Sequence, residues 1–474
     1  MPELSKPALQ RVALLLLAFC STQASSGVLD DVGFSRLQAE LGEKMPRTAD
    51  IVIAQVESSL AVDHDKDETT PAIASWMPDP GNRNLRRHDI VDMSAAPAGI
   101  YSGHATAIAR RMIGRGRDQG MVQDIQQLQA FSVGHWMGRG FLNAGSRLKP
   151  NPGQVRLVNH SWASNSHDSR ILRRADWVID QSEVIQVIGV RNAAGKQNHA
   201  LFAALNNAIV VGRSDGLHSI GAPAIDRVYP AGRSRPHLVA PLSTGSAAAP
   251  TVASAAILLL AAAADPSLSF RSTLAGNRPT LEIYDAGRSE VIRAVLMAGA
   301  DRETDNSTHG NIKAYRADAE NRSTNGLDKR FGAGQLNVYH SWQILQAGEQ
   351  EGQPGLCGFD YEPGLKGQFR KSYDLPAVSG SSMIAATLSW NLLFPATERF
   401  DSSAILNNLN LEFYEVDEAG ARMIRDSASA SDNTETIYQR LDPDKRYKLV
   451  VVSADTLMKT QDFAIAWRMF AAAE

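Results

Sequence analysis

The chain has 474 residues, 48 lysines and arginines against 51 aspartates and glutamates, a net charge of −3, and two cysteines. This length suffices for two or three domains and a large core. The near-neutral balance, with no sustained basic run, argues against nucleic acid as a partner.

At the start, Lys6 and Arg11 precede the apolar run 12–19, and Thr22-Gln23-Ala24 offers small residues for cleavage. Residues 1–24 therefore read as an export signal, and the mature protein is expected to be periplasmic or secreted. The run is too short for a transmembrane helix, and no later segment reaches the roughly 20 apolar residues a membrane span needs. Cys20 invites a lipoprotein reading, which the bulky Phe19 before it opposes. Removal of the signal would leave Cys357 alone, so no intramolecular disulfide is expected.

Residues 28–47 form a polar, weakly helical lead-in. Ile51-Val52-Ile53-Ala54-Gln55-Val56-Glu57 is a buried strand ending in an acid, the end at which open α/β sheets place their ligand sites. An ordinary solvated strand-end glutamate has the same appearance. Asp63, Asp65 and Asp67 make a local acidic loop, but without the loop glycine and terminal glutamate of a known calcium loop. In Gly103-His104-Ala105-Thr106-Ala107 a histidine stands at the mouth of an apolar helix. Asp92 lies only 12 residues before it, which leaves little room for a strand end, a loop and a helix start. Gln55 shares the side-chain direction of Glu57 but carries no charge.

Residues 126–133 read as a strand, followed by Trp136-Met137-Gly138-Arg139-Gly140. A further strand, Val155-Arg156-Leu157-Val158-Asn159-His160, ends in Ser161, Trp162 and Ala163; Trp162 reads equally well as core. Residues 171–178 have helical spacing. The buried strand 184–190 runs into Arg191-Asn192-Ala193-Ala194-Gly195, where an asparagine is ordinary turn chemistry by itself. In Ser243-Thr244-Gly245-Ser246-Ala247-Ala248-Ala249-Pro250-Thr251-Val252-Ala253 a serine opens a run almost without charge through Ala264. A helix apolar all round must be buried, and a hydroxyl at its mouth lies near N–H groups that favour developing negative charge. Residues 290–297 form another helix, 301–329 read as a polar surface insertion, and Phe331-Gly332-Ala333-Gly334-Gln335-Leu336-Asn337 comes next. The stretch 348–355 reads as a linker. Beyond it, short alternating strands at 383–390, 409–416, 436–441, 447–452 and 463–469 suggest a β-sandwich over 356–474.

Taken in order over about residues 48–347, these stretches resemble the motifs of the subtilase family of serine peptidases. The strand ending at Glu57 resembles the Asp-Ser/Thr-Gly strand, and His104 the His-Gly-Thr-x-Val-Ala motif. Ser246, Pro250, Val252 and Ala253 match Gly-Thr-Ser-x-x-x-Pro-x-Val-Ala. The resemblance implies an α/β fold with a doubly wound, mostly parallel sheet and helices on both faces over 25–347, plus a C-terminal all-β, jelly-roll-like sandwich. It implies a serine endopeptidase in which Glu57, His104 and Ser246 form the triad and Asn192 donates to the oxyanion. Gly138 would lie on the edge that pairs with substrate, and Ser161, Trp162 and Ala163 would line a specificity pocket. A polypeptide substrate is implied, no cofactor is required, and calcium enters by family analogy only. Four residues depart from the pattern: Glu57 for Asp, Ala105 for Gly, Arg191 for Gly and Gly245 for Thr. The same departures suit a silent member of the fold that binds peptides or surface partners, and a third reading makes the sandwich an adhesin carried by the α/β domain.

Overall fold

The computed structural model describes residues 27–58, 60–62, 73–94, 98–116, 119–199, 201–303, 306, 308–394 and 403–472. The segment read as an export signal and the acidic residues Asp63, Asp65 and Asp67 lie outside them.

The apolar runs of the first half form seven strands: β1 (Val52–Glu57), β2 (Asp89–Asp92), β3 (Gln127–Ser132), β4 (Val155–His160), β5 (Ile185–Gly189), β6 (Ile209–Arg213) and β7 (Leu238–Ala240). All pair in parallel, in the order β2-β3-β1-β4-β5-β6-β7. The helices that pack around this sheet include α1 (Gly103–Ile113), α2 (Ser169–Ser182), α3 (Gly245–Ala262), α4 (Ser289–Gly299) and α5 (Val338–Gln346). Strand alternation assigns the two faces. Ile53, Leu157 and Val187 pack with residues of α1, α3 and α4 on one side, whereas Ala54, Val158 and Ile188 pack with α2 on the other. The expected three-layer α/β architecture is therefore present. Among the described residues α3 is the one helix long and apolar enough to cross a membrane, and 89% of it is buried inside the protein.

The second half forms two four-stranded antiparallel sheets. With β8 (Cys357–Gly367), β9 (Arg370–Asp374), β10 (Ser382–Ser389), β11 (Leu409–Asp417), β12 (Gly420–Ser427), β13 (Thr434–Leu441), β14 (Arg446–Ser453) and β15 (Leu457–Ala471), the orders are β8-β15-β10-β13 and β9-β14-β11-β12. Leu411, Phe413, Leu449 and Val451 of one sheet face Ile384, Leu388, Ile465 and Trp467 of the other in a core of their own. The other face of β15 presents Ala464 and Ala466 to the core of the α/β domain. Small side chains there let the strand lie close to α4.

The sandwich is fused to the α/β domain along this face. Arg293 of α4, fully buried, donates from Nε to Ser389 Oγ at 2.7 Å and from Nη2 to the Trp390 carbonyl at 2.7 Å. It also reaches the Asn207 carbonyl at 2.5 Å, so one guanidinium ties the sheet to both domains. The connection 348–355 is fastened rather than free. Glu349 is buried and accepts from the Phe270 N–H at 2.5 Å, and the Gln350 N–H donates to the Phe359 carbonyl at 2.8 Å. Nor is 301–329 a plain surface insertion: Arg302, Asn325, Leu327 and Asp328 are buried within it.

Candidate active site

Every candidate residue but one group sits at the carboxyl edge of the parallel sheet or on a helix mouth facing it. Glu57 is the last residue of β1, paired in register with Ser132, and only 2% of it is exposed. His104 is the second residue of α1, whose start is fixed by Ser102: its hydroxyl accepts from the Ala105 N–H at 3.1 Å. The two meet at 3.0 Å, His104 Nδ1 against Glu57 Oε2. The other carboxylate oxygen accepts from Gln55 Nε2 at 3.1 Å, and the same amide nitrogen donates to the Ala105 carbonyl at 2.9 Å. Gln55 thus clamps the acid to the first turn of the histidine helix, a role its missing charge concealed in the sequence. Asp92 takes no part: its carboxylate accepts from the N–H groups of Ser94 and Ala98.

The electrostatics reflect this burial. Loss of solvent pushes the Glu57 carboxyl above its ordinary value, against the hydrogen bond and charge of His104 and the hydrogen bond of Gln55. The hydrogen bond to Glu57 raises the His104 imidazole above its ordinary 6.5, with burial pulling it down and the Glu57 charge adding to the rise.

Ser246 is the second residue of α3. Thr244 caps the helix, its hydroxyl accepting from the Ala247 N–H at 3.1 Å. The spacing Ser246–Pro250 has a local consequence. Proline has no N–H, so the Ser246 carbonyl loses its i+4 donor inside the helix. Ser161, just past β4, supplies the replacement: its hydroxyl donates to the Ser246 carbonyl at 3.0 Å, and the Ser246 hydroxyl donates to the Ser161 carbonyl at 3.2 Å. No hydrogen bond joins Ser246 to His104 among the described contacts. Asn159 Nδ2 holds the Ser161 hydroxyl at 3.0 Å.

Asn192 lies exposed beyond β5, and its Oδ1 accepts from the Gly245 N–H at 2.8 Å. That bond leaves the amide nitrogen as the free end. Arg191 beside it is exposed, so its side chain does not fill the site. Gly245 has a steric reason of its own. A Cβ there would lie 2.1 Å from the Val190 carbonyl oxygen, and one on Gly189 would lie 2.6 Å from the Gly245 carbonyl. The end of β5 and the mouth of α3 approach too closely for a threonine.

Trp136–Gly140 follows β3 as a kinked turn in which Gly138 is itself non-helical, with φ −80° and ψ −130°. Ser132 starts this turn by accepting from the His135 N–H. Trp162 belongs to the core: it packs edge-on to Phe202 and donates from Nε1 to His160 Nδ1 at 3.2 Å. His160, which also faces Gln186 Oε1 at 3.1 Å, is held neutral by burial that lowers its pKa to about 3. Ala163 is exposed just beyond. Among the described residues no three His, Cys, Asp or Glu side chains are grouped to hold a metal ion.

No protein-family model and no curated protein matches the chain. Solved structures that it matches are described as proteases or as a domain of one. The epidermin leader peptide processing serine protease of Staphylococcus aureus is similar at 12% identity and a TM-score of 0.39, over 66% of this chain and 81% of that one. A protease of Pseudoalteromonas arctica is similar at 12% identity and a TM-score of 0.35, over 69% and 96%. The pre-peptidase C-terminal domain of a Bacillus anthracis collagenase covers 25% of this chain and 96% of its own, at 12% identity and a TM-score of 0.18.

Proposed function

We propose that the chain is an exported serine endopeptidase acting on polypeptides without a cofactor. The observation that carries this reading is the buried Glu57 bound to His104 Nδ1 at 3.0 Å, on the same sheet edge as Ser246 at a capped helix mouth. With Nδ1–H directed at the carboxylate, Nε2 is the nitrogen left to accept a proton. The Ser246 hydroxyl turns from the Ser161 carbonyl about its Cα–Cβ bond and passes its proton to His104 as Oγ bonds to the scissile carbonyl carbon. Glu57 stabilises the imidazolium. The oxyanion is met by Asn192 Nδ2 and by the Ser246 N–H, which has no intrahelical acceptor in the first turn. His104 then protonates the leaving amine as the C–N bond breaks, and water hydrolyses the acyl-enzyme by the reverse sequence.

One observation favours a second reading, a fold that binds peptides without cleaving them: the Ser246 hydroxyl is committed to Ser161 rather than to His104. A fluorophosphonate probe separates the two, because only an activated serine reacts. The endopeptidase reading expects labelling and peptide hydrolysis by the wild type and neither by Ser246→Ala. An unlabelled, folded wild type would leave the binding reading standing.

A further inference from the structure

Residues 308–330 dock on the sandwich, and a cluster of arginines is trapped at that seam. Arg302, just past α4, is 2% exposed. Its Nε donates to the Ala333 carbonyl at 2.6 Å, but Nη1 and Nη2 are buried without a hydrogen-bond partner. Its guanidinium lies 4.5 Å from the ring centre of Tyr438 on β13, and that of Arg316 lies 5.6 Å from the same ring. Arg316 Nη1 and Arg322 Nε are also buried and unpartnered. Arg425 of β12 donates from Nε to Gln439 Oε1 at 2.9 Å. Arg316, Arg322, Arg425 and Tyr438 line a cavity of about 330 Å³.

The walls are set by the docking itself. The Ala428 N–H donates to the Thr324 carbonyl at 3.1 Å and the Thr436 N–H to the Asn325 carbonyl at 3.0 Å. A Cβ on Gly326, where φ is +71°, would lie 1.9 Å from the Thr436 carbonyl oxygen. Backbone and backbone touch, which fixes the docking of this segment on the sandwich.

Among the described residues, three guanidiniums line the cavity, those of Arg316, Arg322 and Arg425, with one carboxylate, Asp426, and Asp328 acts on Arg316 from nearby. Asp328 spends Oδ1 on the N–H groups of Arg330 and Phe331 while Oδ2 is buried without a partner; Asp426 is exposed at the rim. Arginine does not escape by losing its proton, and a buried charge without a counter-charge costs several kcal/mol. Burial, the neighbouring Arg316 and Arg468 press the Arg302 guanidinium well below its ordinary value, and Arg322 and Arg425 add to the same pressure on Arg316. Arg316, Arg322 and Arg425, which line the cavity, carry planar guanidiniums of the kind that match the paired oxygens of a tetrahedral oxyanion.

We propose that this seam is a binding site for a phosphate group, held between Arg316 and Arg322 of the α/β domain and Arg425 of the sandwich, with Tyr438 as its aromatic wall. At about 330 Å³ the cavity leaves room for a substituent on the phosphate. The ligand is therefore inorganic phosphate or a phosphate monoester, and it couples the sandwich to the α/β domain.

The test uses the full chain, first in phosphate-free buffer and then with inorganic phosphate or glycerol 3-phosphate at constant ionic strength. Saturating phosphate should raise Tm by about 2–5 °C, as a ligand at some 100 times its Kd does for a protein of this size, while sodium chloride should not. A tighter response to glycerol 3-phosphate would assign the spare volume to a monoester; an equal response would assign the free ion. The double variant Arg322→Gln/Arg425→Gln should be at least as stable as wild type in phosphate-free buffer, since it relieves uncompensated charge, and should lose the phosphate response. A structural role alone predicts the opposite sign in that buffer. No phosphate-specific rise in Tm, a response retained by the double variant, or a double variant less stable than wild type without phosphate would each overturn the proposal. Arg322→Lys, which keeps one charge but not the fork, serves as the milder variant and should weaken phosphate binding at least tenfold.

Discussion

Gly245→Ala is the perturbation whose size can be worked from the structure. The added Cβ would stand 2.1 Å from the Val190 carbonyl oxygen, and carbon atoms of this kind do not approach closer than 3.0 Å. The mouth of α3 must therefore withdraw from the end of β5 by at least 0.9 Å, the difference of the two. The contact is backbone on both sides, so no rotamer can absorb it. The Gly245 N–H also holds Asn192 Oδ1 at 2.8 Å, so the displacement carries Ser246 and Asn192 apart. A misplacement of about 1 Å in a catalytic constellation costs on the order of 100-fold, and overpacking of this kind costs about 1–3 kcal/mol in stability. We expect kcat/KM on a cleaved fluorogenic peptide, and the rate of fluorophosphonate labelling, to fall about 100-fold with a lowered Tm. Gly245→Thr, which restores the family residue, should be worse rather than better. An alanine variant that labels within about threefold of the wild-type rate at unchanged Tm would refute the steric argument.

Glu57→Ala should lower kcat about 10⁴-fold by loss of the orienting acid, whereas Glu57→Asp should retain most activity; steady-state kinetics on the same peptide checks both. Gln55→Leu removes one of the two hydrogen bonds to that carboxylate and should cost less than Glu57→Ala, about tenfold, and equal losses would mean that Gln55 is the more important partner. Asn192→Ala should reduce kcat by roughly 10²–10³-fold with a smaller change in KM, the loss that removal of one oxyanion donor causes in a subtilisin; a change confined to KM would make Asn192 a binding residue. The base must be neutral, and Glu57 raises the His104 pKa above 6.5, so the acid limb of kcat/KM should lie above that pH. In Glu57→Gln the remaining influence is burial, which lowers the imidazole, so the limb should move to lower pH; an unmoved limb would remove His104 as the titrating base.

The parallel sheet was legible because its strands are buried on both faces and read as continuous apolar runs, and α3 because no polar face interrupts it. Among the sandwich strands β11 alternates, with one face in the core, whereas β10 is buried on both faces. β8, β9 and β12 carry charged or exposed residues such as Lys366, Arg370 and Arg422 on their open faces, and their pattern is lost. The linker and the insertion escape a sequence reading for one reason: Glu349, Arg302 and Asp328 look solvated by residue type but are buried by the docked sandwich, a contact remote in sequence.

The departures from the family motifs divide along the same line between local and remote causes. Gly245 is dictated by the Val190 carbonyl 55 residues earlier, which no reading of the serine motif alone reveals. Ala105 is tolerated because its side chain points into the core with no exposure, while its carbonyl is what the site uses, as the acceptor for Gln55. Glu57 and Gln55 belong together in the same way. The extra methylene extends the carboxylate by roughly 1.5 Å, and a longer side chain has one more rotor to be fixed. Gln55, on the same face two residues before, fixes it by holding Oε1 while His104 takes Oε2. A glutamate at this strand end therefore needs a donor at the position of Gln55, and the pair acts as one orienting unit. Glu57→Asp in the wild-type background should leave the shorter carboxylate out of reach of one of its two partners, whereas Glu57→Asp combined with Gln55→Leu should cost little more than Gln55→Leu alone.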